Sequence, residues 1–122
     1  MIKYHNRKVK TSDGIIHASI LESRRWKELL LLERAGKIIN LKRQVKYVLI
    51  PAQREPSVIG KRGGVKKGKL LEREVAYIAD FEYQDKEAGE LVVEDAKGVR
   101  TKDYIIKRKL MLSVYGIRIK EV

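Results

Sequence analysis

Two aspartates and a lysine in the second half of the chain have the residue types and spacing of a cation site. Asp80 lies in the alternating segment 74–83, and fifteen residues later Asp95 begins the tripeptide Asp95-Ala96-Lys97. If the two segments pair with Asp80 opposite Asp95, the carboxylates come within a few ångströms of each other and repel unless a divalent cation bridges them. Hard cations such as Mg²⁺ prefer oxygen ligands, so this pattern predicts a carboxylate-bound metal.

The pairing register of the two segments decides which acid faces Asp80. A slip of one residue places Glu94 there instead of Asp95, because alternate residues of a strand point to opposite faces, and a bulge can restore either arrangement. Lys97 lies on the same strand face as Asp95. A carboxylate and an ammonium at the edge of an apolar face are either a solvated ion pair at a strand end or a pair used in chemistry, and the sequence leaves both interpretations open.

The segments that must position these residues alternate between helical and extended patterns. Apolar residues at helical spacing follow Ser19 and end before Gly36, and a second helix follows the N-cap candidate Thr101 and ends before Gly116. The extended segments are 44–50, 74–83, 91–97 and 117–122, of which the middle two form a hairpin. The order α-β-β-β-α-β predicts an α/β fold, with a small mixed sheet flanked by helices.

Composition limits the chemistry and indicates the partner. The chain has 122 residues, enough for a single domain over 1–122, with no cysteine and only two histidines, so a metal must be held by carboxylates. Its 28 Lys and Arg against 16 Asp and Glu give a net charge of +12, which favours nucleic acid as partner over acidic proteins or membrane surfaces. No apolar stretch has the length of a signal peptide or a membrane span, so we expect a cytoplasmic protein.

Three basic segments are candidates for nucleic-acid contacts. Residues 1–16 are predicted to form a basic N-terminal arm or short hairpin that turns at Asp13-Gly14. Residues 51–72 contain both prolines and four glycines and predict a flexible basic loop. The candidate phosphate-binding residues are Lys61, Arg62, Lys66, Lys67 and Lys69 in that loop and Lys107 and Arg108 in the second helix.

The same loop approaches the pattern of a nucleotide-binding phosphate loop without completing it. Gly63 is followed five residues later by Gly68, then by Lys69 and Leu70. The motif needs serine or threonine after the lysine to bind Mg²⁺, and it needs a strand before it and a helix after it. We therefore expect no nucleotide cofactor, and a loop whose lysines follow a phosphate backbone.

Glu22 in the first helix has two interpretations that do not exclude each other. With Ser19 three residues earlier, it fits a capping box in which each side chain satisfies the other's backbone N–H. Glu22 also shares a helix face with Trp26 and Leu29, which points it toward the sheet rather than toward water.

The order of elements and the acidic residues resemble the PD-(D/E)XK nuclease superfamily. Asp80 matches the first acid, with Ala79 in place of the motif's proline, and Asp95-Ala96-Lys97 matches (D/E)XK. The strings KYHNRKV, DGIIHASILESRRWKELLLLERAGKI, YIADFEY and VVEDAKG also resemble successive blocks of a phage- and prophage-encoded family of small uncharacterised domains in that superfamily. The chain departs from that family at Ile20 and Leu21, where its members tend to have a basic pair.

This resemblance implies a restriction-endonuclease-like core and a metal-dependent DNA endonuclease. The implied ligands of Mg²⁺, or of Mn²⁺ as its substitute, are Asp80, Asp95, the carbonyl of Ala96 and Glu22, and Lys97 would orient the attacking water or stabilise charge on the phosphate. The small size favours structure-selective, resolvase-like cleavage by a possible homodimer, in the host cytoplasm if the gene belongs to a phage.

Two functions from other classes also fit the sequence. A non-catalytic nucleic-acid-binding accessory protein requires only the basic surface, and a basic protein-interaction domain would use the carboxylates for structure alone. Clustered, buried acids are the feature that separates the nuclease from both.

Overall fold

The computed structural model describes residues 7–97 and 99–122, and its largest feature is a four-stranded mixed sheet. The elements are β1 (Val9–Lys10), β2 (Ile16–His17), α1 (Ile20–Arg34), β3 (Ile38–Ile50), β4 (Gln53–Arg54), β5 (Val58–Ile59), β6 (Val65–Lys66), β7 (Leu70–Glu72), β8 (Val75–Asp85), β9 (Leu91–Asp95), α2 (Lys102–Tyr115) and β10 (Lys120–Glu121). The central sheet has the order β10-β9-β8-β3, with β10 parallel to β9 and the other pairs antiparallel. The architecture is therefore mixed α/β, as the sequence predicted.

Both predicted helices are confirmed, and their caps follow the residues that predicted them. The Ser19 hydroxyl accepts a hydrogen bond from the backbone N–H of Glu22 at 3.1 Å, and the Thr101 hydroxyl accepts one from Tyr104 at 3.1 Å. These bonds satisfy N–H groups that have no partner inside a helix. Gly116 ends α2 with φ of 69°, a left-handed conformation that glycine adopts without a steric penalty.

The strand predicted over 44–50 is wrong at its beginning, because β3 already starts at Ile38. Asn40 and Gln44 have φ of 57° and 52°, and the β3–β8 ladder shifts register between Ile39 and Lys42. Such bulges break the period-two alternation by which a strand is recognised in a sequence. The strand predicted over 117–122 is also too long, since β10 spans only two residues.

Two apolar clusters lie on opposite sides of the sheet. Val92 packs against one cluster and Val93 belongs to the other, and consecutive strand residues point to opposite faces. The α1 core consists of Trp26, Leu29, Ile38, Phe81 and Tyr83. The α2 core consists of Leu49, Tyr77, Ala79, Val93, Tyr104 and Met111. Each helix therefore covers one face of the sheet.

Strand β8 changes faces at Asp80. Ala79 belongs to the α2 core and Phe81 to the α1 core, although residues two apart in a regular strand share one face. The β3–β8 ladder is interrupted at the same place, between the pairs Val45–Ala79 and Arg43–Phe81. Asp80 therefore lies at a local irregularity in the middle of a long strand.

The segment 51–72, which we name the arm and which the sequence predicted as a flexible basic loop, contains short paired strands. Strand β4 pairs with β7 and β5 pairs with β6, giving two short antiparallel ladders in series. The tip closes through hydrogen bonds from Gly60 N to Gly64 O at 2.7 Å and from Gly63 N to Gly60 O at 3.0 Å. These strands have only two or three residues each, which is too short for a recognisable alternation, and they lie among many glycines and lysines.

The N-terminal segment forms the short hairpin that was one of the two predicted alternatives. Strands β1 and β2 pair, and the N–H of Gly14 donates to the carbonyl of Thr11 at 2.9 Å in the turn. The prediction for residues 1–6 lies outside the described residues. None of the helices within the described ranges is long and apolar enough to span a lipid bilayer.

Candidate active site

The hairpin β8–β9 brings Asp80 and Asp95 together at the end of its ladder. The paired residues run from Gln84 with Leu91 to Phe81 with Glu94, a register that sets Asp80 opposite Asp95 when continued by one residue, and the carboxylate of Asp95 is close enough to raise the pKa of Asp80. Of the two registers that the sequence allowed, the structure has the one that opposes the aspartates. The backbone N–H of Ala96 donates to Asp80 Oδ2 at 2.9 Å, which fixes this carboxylate against the neighbouring strand.

Asp95 is buried, with 1% of its surface exposed. Its Oδ2 accepts a hydrogen bond from the hydroxyl of Tyr77. Its Oδ1 forms an ion pair with Lys97, whose Nζ lies 3.2 Å away. The same oxygen accepts no hydrogen bond within residues 7–97 and 99–122. A buried carboxylate oxygen without a hydrogen bond is costly, so this atom has capacity for a further ligand.

Burial and the neighbouring acid shift the pKa of Asp80. Desolvation, followed by the negative charge of Asp95, raises the pKa of Asp80 from its ordinary value of 3.8 to about 7, against the opposing effect of the Ala96 N–H. Near neutral pH this carboxyl therefore holds a proton much of the time. Two facing carboxylates in a poorly solvated place bind either a proton or a cation.

Lys97 lies between Asp95 and an aromatic ring of α2. Its Nζ is 4.6 Å from the centre of the Tyr104 ring, and the guanidinium of Arg108 lies 5.9 Å from the same ring. The Lys97 side chain keeps 30% of its surface exposed. The ammonium is thus held beside the two aspartates by a charge on one side and a π face on the other, while it remains accessible to a ligand.

Glu22 is buried in the interface of α1 with β3. Its Oε2 accepts from the N–H of Ala18 at 3.3 Å rather than from Ser19, so only half of the predicted capping box is formed. Its Oε1 lies 3.4 Å from Gln44 Nε2 and 3.5 Å from His17 Nδ1. Glu22 therefore points inward, as one of its two interpretations required.

The structure joins Asp80, Asp95 and Lys97 but leaves Glu22 apart from them. Within the described residues, no group of three or more Asp, Glu and His side chains is arranged to hold a metal ion. The charge of Glu22 reaches Asp80 only as the smallest of the effects that raise its pKa. The side chains suited to bind a cation directly are the two aspartates.

A second buried carboxylate, whose pairing the sequence does not indicate, lies next to the first. Glu94 is fully buried, and Arg25 of α1 donates to it from Nε at 2.7 Å and from Nη2 at 2.8 Å. The hydroxyl of Tyr83 also donates to Glu94. A forked pair between residues 69 positions apart leaves no local signal in the sequence, although an acid within an apolar strand was a reason to look for a partner.

His17 is likewise more central than the sequence indicated. It has no exposed surface, and its two ring nitrogens lie 3.5 Å from Glu22 and 3.3 Å from the hydroxyl of Thr11. The histidine therefore links the N-terminal hairpin to Glu22 of α1.

The predicted basic contacts lie on two separate surfaces. The candidates in the arm are all exposed: Lys61, Arg62, Lys66, Lys67 and Lys69. Those on α2 are partly buried, and Arg108 pairs with Glu121 at 3.2 Å beside a cavity of about 370 Å³. Lys107 lies one residue away on the same helix. The arm is thus the more available surface for a polyanion.

Comparison with known proteins gives a family and no closer relative. We find no match among curated proteins and none among solved structures. Residues 1–120 match a protein family described as "Protein of unknown function (DUF1064)". Because the match covers nearly the whole sequence, the chain belongs to the DUF1064 family.

Proposed function

We propose that this protein is a divalent-cation-dependent nuclease that hydrolyses phosphodiester bonds in DNA. The observation that carries the proposal is the pair Asp80 and Asp95 at the end of a hairpin, where a buried Asp95 oxygen lies 3.2 Å from the ammonium of Lys97 and accepts no hydrogen bond from the described residues. The resemblance to the PD-(D/E)XK superfamily supports the same assignment, with a restriction-endonuclease-like core as the proposed fold.

The aspartates fit a magnesium or manganese ion. Both offer carboxylate oxygens, their mutual repulsion raises the pKa of Asp80, and a bound cation would relieve that repulsion. A bound Mg²⁺ would polarise the phosphate and lower the pKa of a coordinated water. The main-chain carbonyl of Ala96 remains a proposed third ligand. Glu22 forms no metal-binding group with the aspartates among the described residues, so we propose that it acts on the site only through its charge.

Lys97 supplies the positive charge that the reaction needs near the phosphate. Its Nζ is held by Asp95 and by the ring of Tyr104, so little reorganisation is required when a substrate arrives. An ammonium fixed in this way stabilises the negative charge that develops on the phosphate oxygens during attack. We assign Lys97 this role and expect it to orient the attacking water as well.

The basic arm and α2 would hold the DNA backbone on either side of the site. Contacts from lysine and arginine to phosphates give affinity without sequence recognition. Such a protein would select DNA by its shape, as a junction resolvase does, and a homodimer would supply one site for each strand. The second candidate function is a non-catalytic nucleic-acid-binding protein, which the exposed lysines of the arm alone would support.

Cleavage assays with matched variants test the proposal. Purified protein is incubated with duplex and branched DNA in Mg²⁺, Mn²⁺ or EDTA, alongside Asp95→Asn and the control Glu87→Gln, whose carboxylate is exposed in the turn of the same hairpin. We expect cleavage by the wild type and by Glu87→Gln with metal, none in EDTA, and a loss of about a thousandfold in Asp95→Asn.

Two results would contradict the proposal. Wild-type cleavage rates in Asp95→Asn would remove the aspartates from the chemistry. DNA binding by the wild type without cleavage of any substrate, in either metal, would favour the accessory protein instead.

A further inference from the structure

Two apolar side chains at the tip of the arm are exposed to water. Ile59 and Val65 are cross-strand partners in the β5–β6 ladder, and each has 79% of its surface exposed. The next pair along, Val58 and Lys66, lies on the other face of the ribbon because side chains alternate. Two β-branched side chains thus project together from one face, close to the turn.

The arm is a stiff support for this pair. At its base, the N–H of Glu55 donates to the carbonyl of Lys69 at 2.9 Å, and Arg54 donates to the carbonyl of Gly68 at 3.2 Å. A Cβ on Gly68 would lie 1.9 Å from the Glu55 carbonyl oxygen, so the two backbones touch at a point where only glycine fits. Because the arm is ordered before it meets a ligand, the ordering cost of binding is small.

The charges around the tip indicate which ligand the apolar pair meets. Segment 51–72 has six basic and two acidic residues, and Lys61 and Arg62 form the turn itself. DNA offers both chemistries together: phosphates on the outside and, between neighbouring bases, an apolar space that side chains such as isoleucine enter. A second copy of the chain would bring an equally basic tip, which repels the first.

A lipid surface fits the arm less well. Segment 51–72 contains no tryptophan, tyrosine or phenylalanine, the residues that anchor proteins at the bilayer interface. The arm also continues directly into β8, and its first residue Val75 is five positions before Asp80, or about 17 Å along the strand. This distance is about half a helical turn of duplex DNA, so DNA bound at the aspartates also reaches the end of β8 from which the arm extends.

We propose that the arm is a DNA wedge: Ile59 and Val65 insert between bases while Lys61 and Arg62 bind the phosphates on either side. The inference rests on the proposed function for its choice of DNA, and it goes further by assigning a substrate class. Insertion costs least where bases are already unstacked, so the wedge selects branched or mismatched DNA over a perfect duplex.

Binding measured in EDTA separates the wedge from the nuclease. The probes are a four-way DNA junction carrying 2-aminopurine at the branch and a duplex of the same sequence. The wild type is compared with the double variant Ile59→Ser/Val65→Ser, with Val58→Ser on the opposite face as control, and with Lys61→Ala/Arg62→Ala. All five positions are exposed, so the variants are expected to fold, and circular dichroism verifies this.

The three variants should behave differently. We expect the double serine variant to bind the junction about tenfold more weakly and to lose the fluorescence increase of 2-aminopurine, with an unchanged salt dependence. Val58→Ser should match the wild type. Lys61→Ala/Arg62→Ala should flatten the slope of log K against log salt by about two units on both DNAs.

Each contrary outcome is decisive. Wild-type affinity and fluorescence in the double serine variant would overturn the wedge, as would a tip that drives dimerisation in sedimentation or binds anionic vesicles instead of DNA. If that variant also cleaves normally, the nuclease stands without the wedge. If the wild type unstacks the junction in EDTA and never cleaves DNA in Mg²⁺, the wedge stands without the nuclease.

Discussion

Asp95 and Glu94 are neighbours on β9, yet they have opposite surroundings. Glu94 faces α1 and is satisfied by two bonds from Arg25 and one from Tyr83. Asp95 faces α2, receives one hydrogen bond from Tyr77 and keeps one oxygen without a hydrogen bond among the described residues. A fully paired buried acid stabilises a fold, whereas an acid with spare capacity beside a second acid is arranged for a ligand.

The largest effect should come from unpairing Glu94. Arg25→Met leaves that carboxylate buried without its cation, and we expect a loss of about 3–5 kcal/mol in the free energy of unfolding. Glu28→Gln is the control, because Arg25 also pairs with exposed Glu28 at 2.8 Å and such surface pairs contribute less than about 1 kcal/mol. Urea denaturation measures both. A small loss in Arg25→Met would mean that the comparison of the two acids is mistaken.

Lys97→Met should lower turnover with little effect on stability, the opposite of what we expect for Arg25→Met. If the ammonium acts on developing charge, its removal leaves unfolding nearly unchanged and lowers turnover by about a hundredfold. Single-turnover cleavage of branched DNA, with thermal melts in the presence and absence of Mg²⁺, measures the two quantities. A large melting loss with turnover per folded molecule preserved would assign Lys97 to charge balance alone.

Asp80→Asn should give the smallest and most pH-sensitive effect. The pKa of Asp80 is raised to about 7 by burial and by Asp95, so between pH 4 and 7 the folded protein binds a proton that the unfolded chain releases. The stability of the metal-free wild type therefore falls as the pH rises through this window. At pH 8 we expect the free energy of unfolding of Asp80→Asn to exceed that of the wild type by about 1–3 kcal/mol, and at pH 4 we expect no difference. Mg²⁺ should narrow the difference at pH 8.

Melting curves across pH, with and without Mg²⁺, check this expectation. A difference in melting temperature that does not change with pH would show that burial and Asp95 do not raise the pKa of Asp80.

The features that could be predicted from the sequence depend on residues close together in the chain. Ser19 and Thr101 could be predicted as caps because each hydroxyl accepts a bond from the N–H only three residues later in the chain. The hairpin β8–β9 could be predicted from two alternating segments around a turn. The acids of that hairpin were identified, and the register between Asp80 and Asp95 was one of two possibilities. These features are encoded within a few residues of the chain.

What the sequence did not predict depends on contacts between distant segments or on irregular backbone. Arg25 and Glu94 meet only after α1 packs on the sheet, and the burial of His17 requires the N-terminal hairpin to close over α1. The early start of β3 was hidden by left-handed Asn40 and Gln44. The strands of the arm have no recognisable sequence pattern because each of its ladders has only two residue pairs and the segment is rich in glycine.

The change of faces at Asp80 divides β8 into two halves. On one side of this residue the strand packs with α2, and on the other side it packs with α1, within a single strand of 11 residues. Asp80 is therefore the pivot between the two layers. Because side chains alternate along a strand, the backbone geometry at Asp80 decides which helix each half of β8 packs against, and the arm extends from the half that faces α2.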